Sequence, residues 1–326
     1  MPEWCRRSLN SVVSRLTVII AGTLLSGLSS LSLASETPSA EQSLGSALLN
    51  KMSHSHRELN YRAIVSYQAG DQLSSYRITH TVRDGKEFEA LESLDGSQQD
   101  LVYHGHDLNC THPGPQLIRV FGDKGEQGFY RFYDVDVLGE GRLAGRETVE
   151  LSIRPRDVYR LGYKLSIDKE SGLLLRSDIV NQQSKVLERF QYVMLDLNIP
   201  ADEPVVVNAR EVRHRDVRAN DSNTIVVSRN WRPNWIPAGF TEARIDANDS
   251  AGITYTDGLA VMSVFVEVLQ KPEAGVVNVV EGGMRRGASV SYTVAFPDNG
   301  MFATVVGEVP MLTAKQAAKS LVWTAP

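Results

Sequence analysis

Residues 61–104 read YRAIVSYQAGDQLSSYRITHTVRDGKEFEALESLDGSQQDLVYH, and this stretch decides the fold. Apolar and polar side chains alternate along it, so that residues such as Tyr76 and Ile78 share one face, as in a half-buried strand. Asp84-Gly85 and Asp95-Gly96 interrupt the alternation, and such dipeptides favour the tight turns of hairpins. Two such turns about ten residues apart predict a meandering antiparallel sheet.

The residues on either side of this stretch extend the pattern. Ser39–Leu59 has helical spacing, with Leu44, Ala47, Leu48 and Met52 predicted to form one apolar stripe. The strand candidates that follow are Tyr61–Ala69, Leu73–Val82, Glu87–Leu94, Gln99–His104, Leu117–Phe121, Phe129–Tyr133, Glu147–Ile153, Tyr163–Ile167, Leu173–Ile179 and Lys185–Leu197. Gly139-Glu140-Gly141 is interpreted as a break between strands. One helix followed by about ten strands predicts a mainly β, α+β fold with a large curved antiparallel sheet.

The chain changes character after this run of strands. Ile199–Asn223 contains two prolines and a charged patch without periodicity, and we interpret it as a linker. A second unit follows, and its strand candidates are Phe240–Ile245, Gly252–Tyr255, Ala260–Val268, Ala288–Phe296 and Met301–Val309. Thr313 and Gln316 are predicted to cap a terminal helix, whose apolar face would be Ala314, Ala317, Ala318, Leu321 and Val322. The predicted organisation is a signal peptide at 1–34, a large domain at 35–199, a linker at 200–228 and a small α+β domain at 229–326.

The first residues resemble an export signal. Arg6, Arg7 and Arg15 precede or flank the apolar run Leu16–Leu33, and Ser32-Leu33-Ala34 has small residues where a signal peptidase cleaves. We therefore expect cleavage after Ala34 and work outside the cytoplasm. The alternative is a retained membrane anchor, although the run is near the lower length limit for spanning.

Composition narrows the function classes. The whole chain has 34 Lys and Arg against 39 Asp and Glu. Loss of residues 1–34 removes three Arg and one Glu, which leaves 31 against 38 and a net charge of −7. An acidic chain disfavours non-specific nucleic-acid binding. Cys110 then remains as a single cysteine, interpreted either as a buried side chain or as a reactive thiol.

No catalytic signature is present. The sequence has no nucleophile elbow, phosphate-binding loop, zinc-protease motif or dinucleotide fingerprint, and it predicts no catalytic residue and no cofactor. The histidine pairs His54-x-His56 and His104-x-His106, with Cys110-x-His112 nearby, are the remaining chemistry-bearing pattern. On a strand, residues two positions apart share a face, so such a pair can hold one metal ion. The favoured interpretation is nevertheless that they are histidines near turns, with no metal site.

Two groups of residues are candidates for binding a partner or a lipid. The segment from Arg154 to Arg160 concentrates Arg154, Arg156, Tyr159 and Arg160, and arginine forks suit carboxylates and other anions. The other interpretation is a loop held by its own Asp157. Trp231 and Trp235 are anchors for a partner or, as is more common, part of a core.

An ordered set of short motifs resembles the RseB/MucB family. Ser75–His80 and Leu91–Gly96 are similar to its R-I-x-H and L-x-x-L-D-G patterns. The later matches are Leu143-Ala144-Gly145-Arg146, Ile153–Asp157, Leu161-Gly162-Tyr163, Asp168–Arg176, Trp235–Phe240 and Tyr255–Ala260. They span nearly the whole predicted mature chain. One departure is Cys110-Thr111-His112-Pro113, where the family often has Tyr after the cysteine.

The resemblance implies a periplasmic, non-enzymatic regulator of the envelope-stress sigma factor. Such a regulator binds the periplasmic segment of an inner-membrane anti-sigma factor and shields it from regulated proteolysis. The resemblance also implies a LolA/LolB-like half-barrel with an apolar interior, and lipopolysaccharide or lipid acyl chains as signals. The sequence does not decide whether the protein forms a homo-oligomer. The alternatives are a periplasmic lipid or lipoprotein carrier and, from the histidine pairs, a zinc-dependent hydrolase.

Overall fold

A computed structural model describes residues 40–96, 100–104, 129–200, 210–211, 218–219, 230–244, 252–268 and 281–323. The predicted signal peptide, the strand Leu117–Phe121, His106, Cys110 and His112 lie outside these ranges. All of the described residues belong to one compact unit that covers Pro38–Pro326.

The described residues form two α-helices and nineteen strands. The helices are α1 (Ala40–Glu58) and α2 (Met311–Lys319). The strands of the first half are β1 (Tyr61–Ala69), β2 (Gln72–Arg83), β3 (Lys86–Ser93), β4 (Asp100–His104), β5 (Tyr133–Leu143), β6 (Arg146–Pro155), β7 (Gly162–Asp168), β8 (Leu174–Val180), β9 (Val186–Asp196) and β10 (Arg210–Glu211). Those of the second half are β11 (Arg218–Ala219), β12 (Trp231–Pro233), β13 (Thr241–Arg244), β14 (Gly252–Thr256), β15 (Val261–Val268), β16 (Gly282–Arg286), β17 (Ser289–Phe296), β18 (Met301–Gly307) and β19 (Leu321–Trp323).

The first ten strands form one sheet within the described part of the chain. Their order is β10-β4-β3-β2-β1-β9-β8-β7-β6-β5, and every pair is antiparallel except the short pair of β10 with β4. The meander β1–β4 and the meander β5–β9 are therefore joined through β1 and β9. A smaller sheet has the order β11-β13-β14-β15-β18-β17-β16, and β12 pairs with β19. The predicted fold class, a large antiparallel sheet with a helix and a smaller α+β domain, is confirmed.

Two local predictions in the first sheet are wrong. Phe129–Tyr133 is a turn that ends where β5 begins, and Gly139-Glu140-Gly141 lies inside β5 instead of ending a strand. The pairing of β5 with β6 shifts register between Val137 and Gly139, where Gly139 has φ of +137°, so this glycine belongs to an irregularity within the strand. The hairpin turn comes later, at Ala144-Gly145, where φ is +48° and +77°. The predicted Asp84-Gly85 turn is confirmed, with φ of +51° and +70°.

The helix α1 packs on β5 through a face that includes Met52 and Leu48 of the predicted stripe but not Leu44. Leu44 is 51% exposed, whereas Leu49 and Met52 are fully buried in the core cluster that contains Val135. Gly45 lies on the buried face because a Cβ there would come within 2.7 Å of the Val135 side chain. The close approach of helix and strand thus requires a glycine, which hydrophobic periodicity does not detect.

The inner face of the large sheet carries two apolar clusters. One lies under α1 and the strands β5–β8, and the other joins residues of β1–β3 and β9, such as Val65, Ile78 and Phe190. The first cluster also contains Leu259 and Ala288 from the second half of the chain. The two sheets therefore share buried apolar contacts.

The terminal helix α2 is predicted correctly, but the predicted cap by Thr313 and Gln316 is wrong. It begins at Met311 after Pro310, and Thr313 lies within its first turn, where its amide donates to the Pro310 carbonyl at 2.9 Å. Pro310 precedes the helix because its own missing N–H needs no partner there. Ala314, Ala317 and Ala318 are fully buried, as predicted. Leu321 and Val322 belong to β19.

His56 and His54 point to different environments, although they are two residues apart. The amide of Leu174 donates to Nε2 of buried His56 at 3.0 Å, so Nδ1 carries the ring proton and faces the Tyr61 hydroxyl at 3.4 Å. His54 is exposed, and its Nδ1 lies 2.9 Å from the Asn50 carbonyl in the same helix. His56 therefore attaches α1 to β8.

Replacing His56 by Leu removes the acceptor of a buried backbone amide. We expect the free energy of unfolding to fall by about 1–3 kcal/mol, the usual cost of a buried donor left unsatisfied. Urea denaturation followed by circular dichroism measures it. His54→Leu is the matched control and should change stability by less than about 0.5 kcal/mol. Equal effects of the two variants would contradict the attachment role of His56.

Candidate functional site at the domain junction

The segment from Arg154 to Arg160 comprises the end of β6 and most of the loop to β7, and it reaches the second domain. Arg154 Nε pairs with Asp136 at 2.7 Å and is 62% exposed, and Arg156 Nη2 pairs with Asp134 at 2.7 Å. Both acidic partners lie on the neighbouring strand β5. These two arginines thus form exposed cross-strand pairs, which contribute little to stability, and their proposed role in binding a partner or lipid stays a prediction.

Arg160 is at the centre of a buried ionic group. Its guanidinium is fully buried and its Nε lies 2.6 Å from Oδ2 of Asp257, which is also fully buried. It also pairs with Asp157 and donates to the carbonyl of Ala238. We call Arg160, Asp157 and Asp257 the ionic junction, because Asp257 belongs to the second domain. The interpretation of a loop held by Asp157 is confirmed, and the tertiary structure adds Asp257.

Aromatic rings enclose the Arg160 guanidinium. Its carbon lies 4.4 Å from the ring centre of Phe132 and 5.0 Å from that of Phe240 in the second domain. The Tyr133 hydroxyl donates to Oδ2 of Asp257 at 3.0 Å. Burial, and then the Asp257 charge, raises the pKa of Tyr133 well above its usual value. The tyrosine therefore stays protonated and keeps its hydrogen bond over the physiological range.

Of the other predicted binding residues, Tyr159 and Trp235 lie beside the ionic junction, and Trp231 lies in the small domain. The ring of Tyr159 meets that of Trp235 edge-on, with 5.0 Å between centres, and its carbonyl accepts a 2.9 Å hydrogen bond from the Thr313 hydroxyl. Trp231 is buried in the core of the small domain, where β12 pairs with β19. The core interpretation of Trp231 is confirmed. A direct role of Trp231 or Trp235 in partner binding stays a prediction.

A second contact between the domains is built on Glu188 of β9. Its Oε1 accepts a hydrogen bond from the Tyr67 hydroxyl at 2.6 Å, and its Oε2 accepts the amide of Ala288 at 3.2 Å. Gly287 has φ of +59°, and a Cβ there would lie 2.9 Å from Glu188 Oε2 and 3.0 Å from Ala69. The backbone of the small domain can approach β9 and β1 this closely because residue 287 is glycine.

Glu308 follows β18, and its carboxyl group is close enough to Glu188 for the two charges to interact. Its Oε2 is buried and has no hydrogen-bond partner among the described residues, and the same holds for the hydroxyl of Tyr163. Burial, and then the charge of Glu188, raises the pKa of Glu308 to about 7. We call Glu188 and Glu308 the carboxylate pair.

Sequence reasoning identified only part of this junction. Arg160 was a candidate residue, but Asp257, Glu188 and Glu308 were not. Asp257 lies within the Tyr255–Ala260 motif that carried the family resemblance, which is the one signal that pointed to it. Nothing local distinguishes Glu188 or Glu308 from the many exposed acids of the chain.

No group of three or more His, Cys, Asp or Glu side chains is placed to hold a metal ion in the part of the chain that the structure describes. His104 ends β4, and its proposed neighbours His106, Cys110 and His112 lie outside that part.

Among the same described residues, no helix is both long enough and apolar enough to cross a membrane.

The fold and the ionic junction define a class of mainly β protein, in which a large antiparallel sheet and a smaller sheet domain are joined by a buried ion pair. Two family models match the chain, the MucB/RseB N-terminal domain at residues 45–215 and the MucB/RseB C-terminal domain at residues 226–322. The chain therefore belongs to the MucB/RseB family, as its motifs predicted.

Relatives in several bacteria cover most of the chain. The "Sigma factor AlgU regulatory protein MucB" of Pseudomonas aeruginosa is 32% identical over 302 residues, which are 87% of this chain and 92% of that protein. The "Sigma-E factor regulatory protein RseB" of Escherichia coli K12 is 26% identical, over 88% of this chain and 92% of that protein. These relatives are named as sigma-factor regulators.

Solved structures of MucB match over the same extent. The complex of MucA with MucB from Pseudomonas aeruginosa contains a chain that is 30% identical, with a TM-score of 0.68 over 86% of this chain and 99% of that chain. A crystal structure of MucB in complex with MucA(peri) matches with a TM-score of 0.66 at 29% identity.

Proposed function

We propose that this protein is a periplasmic, non-enzymatic regulator that binds the periplasmic segment of a transmembrane anti-sigma factor and shields it from regulated proteolysis. The observation that carries this is the match, over almost the whole of the solved chain, to MucB in its complex with MucA. A regulator that binds the periplasmic segment of a membrane-spanning partner must itself be in the periplasm. The export signal predicted at residues 1–34 supports that location.

The small domain offers an edge where an extended segment can add a strand. Among the described residues, β16 is the outermost strand beside β17, and all five of its residues are exposed. Met284 at its centre is 76% exposed, and Arg285 and Arg286 follow it. Strand addition at such an edge uses main-chain hydrogen bonds for affinity and side-chain contacts for specificity.

Titration of the full mature chain with the periplasmic segment of an anti-sigma factor from the same genome tests the proposed function. We expect a dissociation constant below about 1 µM by calorimetry, equivalent to more than about 8 kcal/mol of binding free energy. The bound segment should resist proteolysis that cleaves the free segment. Absence of binding at 100-fold higher concentration (about 100 µM) would refute the proposal.

The contact on β16 is tested separately from binding itself. Met284→Glu should weaken binding at least about tenfold, because it puts a charge at the centre of the proposed edge. Leu138→Glu is the matched control, since Leu138 is an exposed apolar residue on β5 of the large domain. Unchanged binding by Met284→Glu would show that the segment contacts a surface other than β16, and it would not contradict binding itself.

We further propose that a lipid signal weakens this binding. The apolar cluster of β1–β3 and β9, which contains Val65 and Ile78, supplies side chains that suit acyl chains. Both residues are buried in the chain alone, so we propose that a lipid enters by opening this cluster. Linkage requires that a lipid which weakens partner binding is itself bound less tightly by the complex, by the same factor. Titration of a lipid A-like ligand against the preformed complex measures both, and unchanged partner affinity at saturating lipid would refute the switch.

A carrier that used only the large sheet would not need the small domain. Deleting that domain is nevertheless a poor test, because Leu259 and Ala288 lie in the large domain's core and Asp257 neutralises Arg160. Cargo transfer should therefore be measured with the full chain. Transfer of a lipoprotein to an acceptor membrane, without partner binding, would favour the carrier.

A further inference from the structure

We infer that the carboxylate pair, Glu188 of β9 and Glu308 after β18, is a proton-binding site whose occupation by one proton stabilises the junction between the two domains. The inference concerns the chain alone and goes beyond the proposed function, because it requires neither the partner nor a lipid.

The surroundings of Glu308 suit a neutral carboxyl group. Its Oε2 is buried without a hydrogen-bond partner among the described residues. A buried carboxylate without a partner is unfavourable, whereas the protonated form carries no charge and gains a donor. The charge that acts on Glu308 is that of Glu188, which has the same sign. Both effects favour one proton on the pair.

Two donors contact the carboxylate of Glu188. The Tyr67 hydroxyl and the Ala288 amide donate to its two oxygens at 2.6 and 3.2 Å. Hydrogen bonds to the charged form stabilise it. Both oxygens of Glu188 therefore have donors, whereas Oε2 of Glu308 has none among the described residues.

The titratable groups around the pair come from both domains. They are Tyr67 on β1, Tyr76 on β2, Tyr163 on β7 and Asp257 in the loop between β14 and β15. Burial raises the pKa of Tyr67 and of Tyr163 above the usual value, so both hydroxyls stay neutral. Asp257 is paired with Arg160 in the ionic junction. The groups that act on Tyr67 and Tyr163 are thus acids and tyrosines, and none of them neutralises Glu308.

The sign of the pH dependence follows from the raised pKa of Glu308. The unfolded chain releases this proton near 4.5, and the folded chain near 7. Between these values the folded state binds more protons, so stability falls as pH rises. The stabilisation by the proton is complete below about pH 4.5 and is lost as pH rises through about 7.

Glu308→Gln tests the site because glutamine has the shape of the protonated acid and no charge. Unfolding by urea should be measured for the wild type and the variant at pH 5.5 and 8. We expect the ratio of their unfolding equilibrium constants to change about 30-fold between these two values, the factor that follows from proton linkage with pKa values of 4.5 and about 7. An unchanged ratio would overturn the inference.

Two further measurements separate the site from general effects. Glu267→Gln makes the same chemical change at an exposed position of β15, and its ratio to wild type should stay constant with pH. If Glu308→Gln does not fold, the carboxyl carbons of glutamate can be followed by NMR in the wild type and in Glu188→Gln. One carboxyl that titrates near pH 7 and shifts to lower pH in Glu188→Gln supports the pair, and the absence of such a carboxyl refutes it.

Discussion

Arg160→Met destabilises the folded chain by about 3–5 kcal/mol, the expected cost of removing one partner from a buried ion pair. Methionine fills much of the volume but leaves the carboxylate of Asp257, which is fully buried, without its cation. The carbonyl of Ala238 also loses a donor. The free energy of unfolding in urea, measured at neutral pH, gives the effect directly.

Two comparisons show whether this loss comes from the ionic junction. Arg154→Met removes an exposed pair with Asp136 and should cost no more than about 1 kcal/mol. The double variant Arg160→Met with Asp257→Asn lacks the buried carboxylate as well as the cation. Its loss of stability should therefore be smaller, by at least about 1 kcal/mol, than the sum of the losses of the two single variants. A loss below 1 kcal/mol for Arg160→Met would show that the junction contributes little.

Gly239→Ala is expected to cost about 2–4 kcal/mol, the sum of a strained backbone and an overpacked contact. Gly239 has φ of +88°, and a Cβ there would lie 2.2 Å from the ring of Phe132. That ring cannot move away freely because the Arg160 guanidinium lies against it, with 4.4 Å to the ring centre. Thermal or urea unfolding of the variant measures the loss.

Gly300→Ala is the matched control for the backbone term. Gly300 also has a positive φ, +63°, but nothing lies within 4 Å of the position of an added Cβ. Its cost should stay near 1 kcal/mol, the penalty for a non-glycine residue in the left-handed region. If Gly239→Ala and Gly300→Ala lose the same amount, Phe132 moves without cost and the contact is not tight.

Loss of either contact is also informative about the proposed function. Arg160 and Gly239 hold the large domain against the small one through Asp257 and Phe132. A partner that binds only to the small domain should tolerate a weakened junction if the chain stays folded. A partner that contacts both domains should lose affinity. Binding to each variant, measured under conditions where it is folded, distinguishes these two arrangements.

Local sequence patterns predicted the turns and strands well where the backbone itself carries the signal. Asp84-Gly85 adopts the positive φ values of a tight hairpin turn, and Gly96 of the predicted Asp95-Gly96 turn has φ of +73°. Gly139 and Gly141 were misinterpreted as a break because glycine has two uses. Gly139 has φ of +137° at a register shift inside β5, and a Cβ on Gly141 would contact the Glu150 and Thr148 side chains. Neither use of glycine ends the strand, and the sequence does not distinguish them from a break.

The helix α1 illustrates a different limit. Its existence follows from its periodicity, but its buried face does not include Leu44 as predicted. The face is set by Gly45 against Val135 and by His56, whose Nε2 accepts the amide of Leu174. A glycine and a histidine do not register as hydrophobic, although each is placed on the buried side by a specific contact.

The sequence alone determined the strand run of residues 61–104, its turns and the second unit, because these depend on dihedral preferences within a few residues. It also determined the family, because short motifs carry the resemblance. The role of Arg160 was decided only by the tertiary structure. The sequence presented it as one of several candidate arginines for binding an anion, and its partner Asp257 lies 97 residues further on. The interaction between the like charges of Glu188 and Glu308 was also decided only by the tertiary structure. Burial and charge pairing depend on which distant elements the fold brings together, and no local pattern encodes them.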